Sequence, residues 1–334
     1  MSQQVLNRQD APGEILVRVE RLTRRFAGHA VVHAVDFELR RGEVLGFLGP
    51  NGAGKTTTMR MITGNLAPSE GRITINGLDI LDRPKAAKAE IGYLPEQPPV
   101  YRELTVDEYL RFCARLNRIP RARVARAVDT AKQRCGLGEV GGRLIGHLSK
   151  GYQQRVGIAQ AIIHAPAVVV LDEPTVGLDP IQIREIRHLI RELGGEHGVI
   201  LSTHILPEVQ AVCDRVQIIN RGRLVMSDSI EELGRRGAGA GLLLRLARPP
   251  QAEEIGALIP GIERVEARDD GGFLLHLAEG GATAEQVAQL VVEQGWGLRE
   301  LTPERRSLEQ IFVDITAADS GDAGRHDAHR ASAA

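Results

Sequence analysis

The sequence predicts an α/β protein built on a largely parallel sheet, followed by a smaller α+β domain. From residue 14 to about 229, short β-branched runs alternate with stretches of helical periodicity, the pattern of stacked βα units. The most apolar run, residues 167–171, is five residues long and is followed at once by Asp172 and Glu173, as in a strand buried on both faces. Near residues 234–241 the sequence GRRGAGAG marks a break. Beyond it the order strand, helix, strand, strand, helix, strand matches the split βαβ of ferredoxin-like folds.

In chain order, strands are expected at 15–19, 31–39, 44–48, 72–76, 91–94, 168–171 and 199–202, and helices at 54–66, 106–117, 121–134, 152–164, 180–193 and 207–212. An early antiparallel portion is expected because the strand at 31–39 meets the turn Arg40-Arg41-Gly42 and then another strand. In the second domain, strands at 242–246, 262–267, 273–277 and 298–301 alternate with helices at 252–258 and 284–293, and a last helix is read at 307–315. The domains are therefore 14–234 and 241–316. A polar leader (1–13) and a small-residue tail (317–334) are expected to be disordered.

Composition narrows the function classes. The 334 residues are 43% hydrophobic and 25% charged, enough for two cores, and the net charge is −1. That neutrality conceals a split of +6 over residues 1–240, −6 over 241–316 and −1 over the tail. No basic arm or aromatic-interleaved basic patch is present, so nucleic acid is not expected as a partner. The three cysteines, Cys113, Cys135 and Cys213, are far apart and form neither a disulfide framework nor a metal knuckle. No apolar run approaches the ~18 residues of a membrane helix.

Two segments carry chemistry. Gly49-Pro50-Asn51-Gly52-Ala53-Gly54-Lys55-Thr56, with Thr57 after it, follows the strand at 44–48 and opens a helix, the context that a phosphate-binding G-x-x-x-x-G-K-S/T loop requires. Its glycines let backbone N–H groups turn toward phosphates, and the helix N-terminus adds positive potential. Lys55 is expected to reach the β- and γ-phosphates and the Thr56 hydroxyl to ligate Mg²⁺. The strand at 168–171 then delivers Asp172 and Glu173 to its C-terminal end, where ligands bind in such sheets. Asp172 is expected to hold Mg²⁺, through a water or directly, and Glu173 to polarise an attacking water.

With these motifs in order, the chain resembles the nucleotide-binding subunit of an ABC transporter. Leu148-Ser149-Lys150-Gly151-Tyr152-Gln153 is similar to the family's LSGGQ signature, with Lys and Tyr at its third and fifth positions. The resemblance implies a P-loop ATPase domain with a parallel core sheet, an antiparallel portion and a helical subdomain, binding ATP and Mg²⁺. It makes Phe26 the aromatic that stacks on adenine. Asp179, in Gly177-Leu178-Asp179, becomes a residue communicating across a dimer interface. His204, which as a lone strand-end histidine would more often be structural, becomes a γ-phosphate contact. Where the family places a glutamine after 91–95, this chain has Glu96 and then Gln97. Either could fill that role, with Glu96 favoured as the metal and water ligand.

The resemblance further implies a dimer, with Ser149, Lys150 and Gly151 of one subunit completing the ATP site of a second copy or a related ATPase subunit. A separate membrane permease is implied, contacted through residues 97–110, with the ATPase on the cytoplasmic face of the membrane. The run Leu94-Pro95-Glu96, the segment Ile219-Asn220-Arg221-Gly222-Arg223 and the ending Leu308-Glu309-Gln310-Ile311-Phe312 resemble ABC-2-type exporters. A rival reading is a soluble ABC ATPase of translation or DNA repair. One cassette per chain and only 94 positions between Lys55 and Ser149, too few for a long coiled coil, count against it. The second domain is read as a dimerisation or docking module, or as a ligand-sensing regulator.

Overall fold

The computed structural model describes residues 13–303 apart from 238–240, 269–270 and 279–280. The chain divides into two compact units, parted between Ile230 and Glu231. The first contains β1 (Ile15–Phe26), β2 (His29–Arg40), β3 (Val44–Leu48), α1 (Lys55–Ile62), β4 (Glu70–Ile75), β5 (Leu78–Asp79), α2 (Pro84–Ala89), β6 (Ile91–Leu94), α3 (Val106–Leu116), α4 (Arg121–Arg134), α5 (Lys150–Ile162), β7 (Val168–Asp172), α6 (Pro180–Gly194), β8 (Gly198–Thr203), α7 (Leu206–Val212), β9 (Arg215–Asn220) and β10 (Arg223–Ser229). Helix α8 (Ile230–Gly237) leads to β11 (Gly241–Leu246), α9 (Ala252–Leu258), β12 (Ile262–Ala267), β13 (Phe273–Leu277), α10 (Ala284–Glu293) and β14 (Leu298–Pro303).

The six-stranded sheet of the first unit has the order β10-β9-β3-β8-β7-β6. All its neighbours are parallel except β10, which turns back antiparallel to β9. Every residue of β3, β7 and β8 is buried, which is why these strands read as continuous apolar runs rather than alternating ones. Because β3, β8, β7 and β6 run in register in one direction, the four segments that follow them emerge along one edge of the sheet.

The antiparallel portion exists, but its expected origin is corrected. The turn after β2 does not close a hairpin; β3 leaves for the parallel sheet, and β2 instead pairs with β1 in a separate sheet of order β2-β1-β4-β5. The Arg40-Arg41-Gly42 turn therefore switches sheets. Strand β1 also continues to Phe26, seven residues beyond the expected end, because bulges relative to β2 keep it paired. Strands β5, β9 and β10 were not anticipated. The last two form a hairpin across Arg221 and Gly222, both at positive φ, a turn the right-handed twist of paired strands favours.

Helix boundaries follow local chemistry. Thr105 and Glu108 form a reciprocal capping box at α3. Asp179 caps α6 by accepting from the Ile181 and Gln182 N–H groups at 3.0 and 2.9 Å, with Pro180 at its first position. Ser149 caps α5, which starts at Lys150 and not at residue 152. Helix α1 ends at Ile62, not 66, and the chain then passes through Gly64 at φ 67°.

In the second unit the sheet order β12-β13-β11-β14 is antiparallel throughout, the arrangement a split βαβ produces. Ile255 of α9 and Val287 and Val291 of α10 share a buried core with Leu244 and Leu275 of the sheet. The leader, the helix read at 307–315 and the tail lie outside the described residues. Among the described residues no helix is long and apolar enough to cross a membrane. Cys113, Cys135 and Cys213 are buried and free, with burial pushing the Cys135 thiol up to about 12.

Candidate functional site

The loop between β3 and α1 is shaped by glycine where nothing larger fits. A Cβ on Gly49 would stand 2.3 Å from the Ile219 carbonyl oxygen, and Gly54 caps α1 at φ 103°. Helix α1 has no side-chain cap and no acid in its first turn, so its N-terminal positive potential is left available to an anion. Lys55, 6% exposed, donates to the Gly49 and Pro50 carbonyls at 2.7 and 3.2 Å and stands 3.5 Å from Glu173 Oε1.

The end of β7 separates its two carboxylates. Glu173 adopts φ 49°, a strained value for a non-glycine residue, costing about 1–3 kcal/mol, and its N–H is held by the Ser202 carbonyl at 2.8 Å. His204, after β8, places Nδ1 3.0 and 2.9 Å from the two Glu173 oxygens. A carboxylate only accepts, so Nδ1 carries the hydrogen. Asp172 points elsewhere. It is 1% exposed, and among the described residues neither of its buried oxygens has a partner at hydrogen-bonding geometry. Burial raises its pKa, against the opposing influence of the Ser202 and Thr56 hydroxyls.

Lys55, Thr56, Thr57, Glu173 and His204 line one cavity of about 380 Å³, together with Asn51, Gly52 and Gly54. Glu96, after β6, also lines it, whereas Gln97 does not. An orphaned carboxylate beside a threonine hydroxyl is a hard-oxygen donor set that fits Mg²⁺, which takes one or two protein oxygens and completes its shell with waters and substrate phosphates. Among the described residues no group of three or more His, Cys, Asp or Glu side chains is arranged to hold a metal ion. Phe26 does not line the cavity. Its ring is 44% exposed at the end of β1, with the Arg24 guanidinium 4.6 Å from its centroid, and the apolar lining comes instead from Val31 and Val176.

Ser149, Lys150, Gly151 and Asp179 form a second group that does not line the cavity. A Cβ on Gly151 would meet the Gln182 side chain of α6 within 3 Å, and Lys150 Nζ fills the space beside Gly177. The signature end of α5 thus packs on the start of α6, and Ser149 and Asp179 stay exposed.

Sequence reasoning missed two supports of the site. Gly222, in the β9–β10 turn, donates its N–H to the Ala53 carbonyl at 2.9 Å and accepts from the His33 N–H at 2.8 Å. A Cβ there would stand 2.1 Å from the Val31 carbonyl oxygen; the Arg-Gly pair between apolar runs was the available hairpin signal. Glu208 of α7 is 1% exposed and accepts hydrogen bonds from Thr175 and Thr203. A lone acid on a short helix gave no signal.

Comparison with known proteins agrees with this geometry. The ABC transporter family profile matches residues 32–176. The chain is 34% identical over 304 residues to the bacitracin transport ATP-binding protein BcrA of Bacillus licheniformis, covering 90% of this chain and 97% of that one. It is 39% identical over 204 residues to the ABC transporter ATP-binding protein NatA of Bacillus subtilis, covering 60% and 83%. Among solved structures, an ATP-binding subunit of an ABC transporter superposes with a TM-score of 0.60 at 33% identity, over 66% of this chain and 92% of that one. CbiO1 of Clostridium perfringens, part of the transporter complex cbiONQ, gives 0.61 at 30% identity over 66% and 90%. A glycine-shaped loop opening a helix after β3, an acid pair at the end of β7 and near full-length likeness to a transport ATP-binding protein converge: the chain belongs to the ABC transporter family as an ATP-binding, ATP-hydrolysing subunit.

Proposed function

We propose that two such subunits close around two ATP molecules and thereby drive an ABC-2-type membrane permease as an exporter, from the cytoplasmic face of the membrane. The observation that carries the hydrolytic part is the contact of Glu173 with both Lys55 and His204 inside one cavity. In this reading Lys55 leaves the Gly49 and Pro50 carbonyls for the β- and γ-phosphates, which takes its ammonium away from Glu173 Oε1, and His204 keeps to the other oxygen. Oε1 then takes the proton of the water attacking the γ-phosphorus. His204 keeps the carboxylate oriented and faces the γ-phosphate. Thr56 and Asp172 would hold Mg²⁺, with Glu96 as a further oxygen ligand on that side, and Phe26 would stack on adenine. Mg²⁺ supplies charge neutralisation at the phosphates.

The signature group supports the dimeric part. Ser149, Lys150 and the Gly151 N–H are exposed or helix-terminal and suited to an anion, and Asp179 stands beside them to meet the second subunit. Because ATP touches both subunits only in the closed state, binding favours closure and loss of phosphate favours opening. The permease would dock at residues 97–110. Tyr101 is 48% exposed there and Phe112, just beyond it on α3, 42%, with their rings edge-to-face at 5.6 Å, an aromatic surface suited to a short amphipathic helix. The exporter type is supported by the Leu94-Pro95-Glu96 run and by the likeness to BcrA and NatA.

Glu173→Gln tests the proposal directly. Hydrolysis is expected to fall at least ~100-fold, with ATP binding intact and a dimer accumulating on a sizing column in ATP and Mg²⁺. A variant that hydrolyses at the wild-type rate removes Glu173 from the chemistry; one that stays monomeric with ATP bound removes the bridging mechanism.

A further inference from the structure

Glu208 lines no cavity described above, yet it lies between the two segments that present the Glu173–His204 pair. Thr175, two residues past Glu173, donates its hydroxyl to one Glu208 oxygen. Thr203, the residue before His204, donates to the other at 2.8 Å and itself accepts from the Ile205 N–H at 3.1 Å. Thr175 and Thr203 are 3% and 0% exposed, so neither bond is exchanged with water. No cation pairs with Glu208 among the described residues. A buried carboxylate without a counter-charge is unfavourable for stability alone, and a neutral side chain of the same shape would pack as well. The carboxylate offers each hydroxyl its own accepting oxygen, whereas an amide of the same shape would set an N–H₂ donor against one of them.

The geometry points to Glu208 as a positioning residue for ATP hydrolysis, a strut that locks the segment after β7 to the segment after β8 and so keeps His204 in register with the Glu173 carboxylate. The inference rests on the reading of Glu173 and His204 as the hydrolytic pair. Without the strut the two segments are joined by the β7–β8 ladder, the Glu173 N–H bond to Ser202 and the Glu173–His204 contact itself, and the side chains beyond the strands lose their common anchor.

The test is steady-state ATP hydrolysis and nucleotide binding on the full chain. Glu208→Ala is expected to lower kcat about 100-fold, the scale of an ångström-level misplacement of reacting groups, with KM and nucleotide affinity within about twofold of wild type. Glu208→Gln keeps the volume and one acceptor, so it loses about tenfold and carries the test if the alanine variant does not fold. Thr203→Val is expected to resemble Glu208→Gln, Thr203→Ser to restore the wild-type rate, and Glu208→Gln/Thr203→Val to lose no more than about the larger single effect. A folded Glu208→Gln protein with wild-type kcat, a raised KM at constant kcat, or multiplicative losses in the double variant would overturn it. Glu173→Gln assayed alongside separates the two failures. If that variant is inactive while Glu208→Gln is fully active, the strut alone falls; if it is active, the reading of the pair falls first.

Discussion

The first unit holds two charged or polar groups of opposite character. Lys55 and Glu173 are buried and paired with each other, and His204, itself exposed, pairs with Glu173 at the cavity all three line. Around Ser149, Lys150, Gly151 and Asp179 the polar atoms do little beyond capping α5 and α6, and Ser149 and Asp179 face solvent. Enclosure suits chemistry, because partly buried charges are screened little by solvent. Exposure suits a surface completed by something else. In the proposed dimer, the difference makes these groups two complementary halves of a site rather than one whole site.

The strongest test of that contrast is complementation. Lys55→Ala is expected to lose nucleotide binding and Ser149→Arg to keep it, with each abolishing hydrolysis when alone. In a symmetric dimer, a mixture contains heterodimers with one intact composite site, so equal amounts should regain about a quarter of wild-type activity. No recovery on mixing would place both groups in one subunit's site. A smaller effect separates the metal side from the base: Glu96→Gln is expected to keep ATP binding and to change turnover by about threefold to tenfold, and unchanged kinetics would remove Glu96 from the mechanism. The smallest concerns the adenine end. Phe26→Ala should raise KM for ATP by about threefold, the scale of one partly exposed aromatic contact, while kcat holds; an unchanged KM would leave Val31 and Val176 as the apolar contacts.

Much of this was legible because the chemistry is local. The loop from Gly49 to Thr56 and the run ending in Asp172-Glu173 each contain their own strand, turn and functional group, so spacing alone exposes them. Ser149 and Asp179 were legible as motif residues, whereas their capping of α5 and α6 came only with the structure. What stayed hidden depends on contacts between distant segments. The sheet switch at Arg40-Arg41-Gly42 is decided by which strand β3 finds, not by the turn's composition. The exposed position of Phe26 follows from bulges in β1 that no residue type signals. Glu208 acts through Thr175 and Thr203, 33 and five residues away, and nothing near it in sequence shows that its carboxylate is buried.

The bond from Gly222 to Ala53 has a consequence for how the subunit is made. The phosphate loop is complete in sequence by residue 56, yet its backbone rests on a turn about 170 residues later. During synthesis from the N-terminus, the nascent chain therefore carries the whole loop motif long before it can hold the loop in shape, since a contact of such separation closes late. With the loop as the proposed ATP site, nucleotide affinity is expected to require the docked β9–β10 hairpin, and ATP is expected to stabilise the completed first unit.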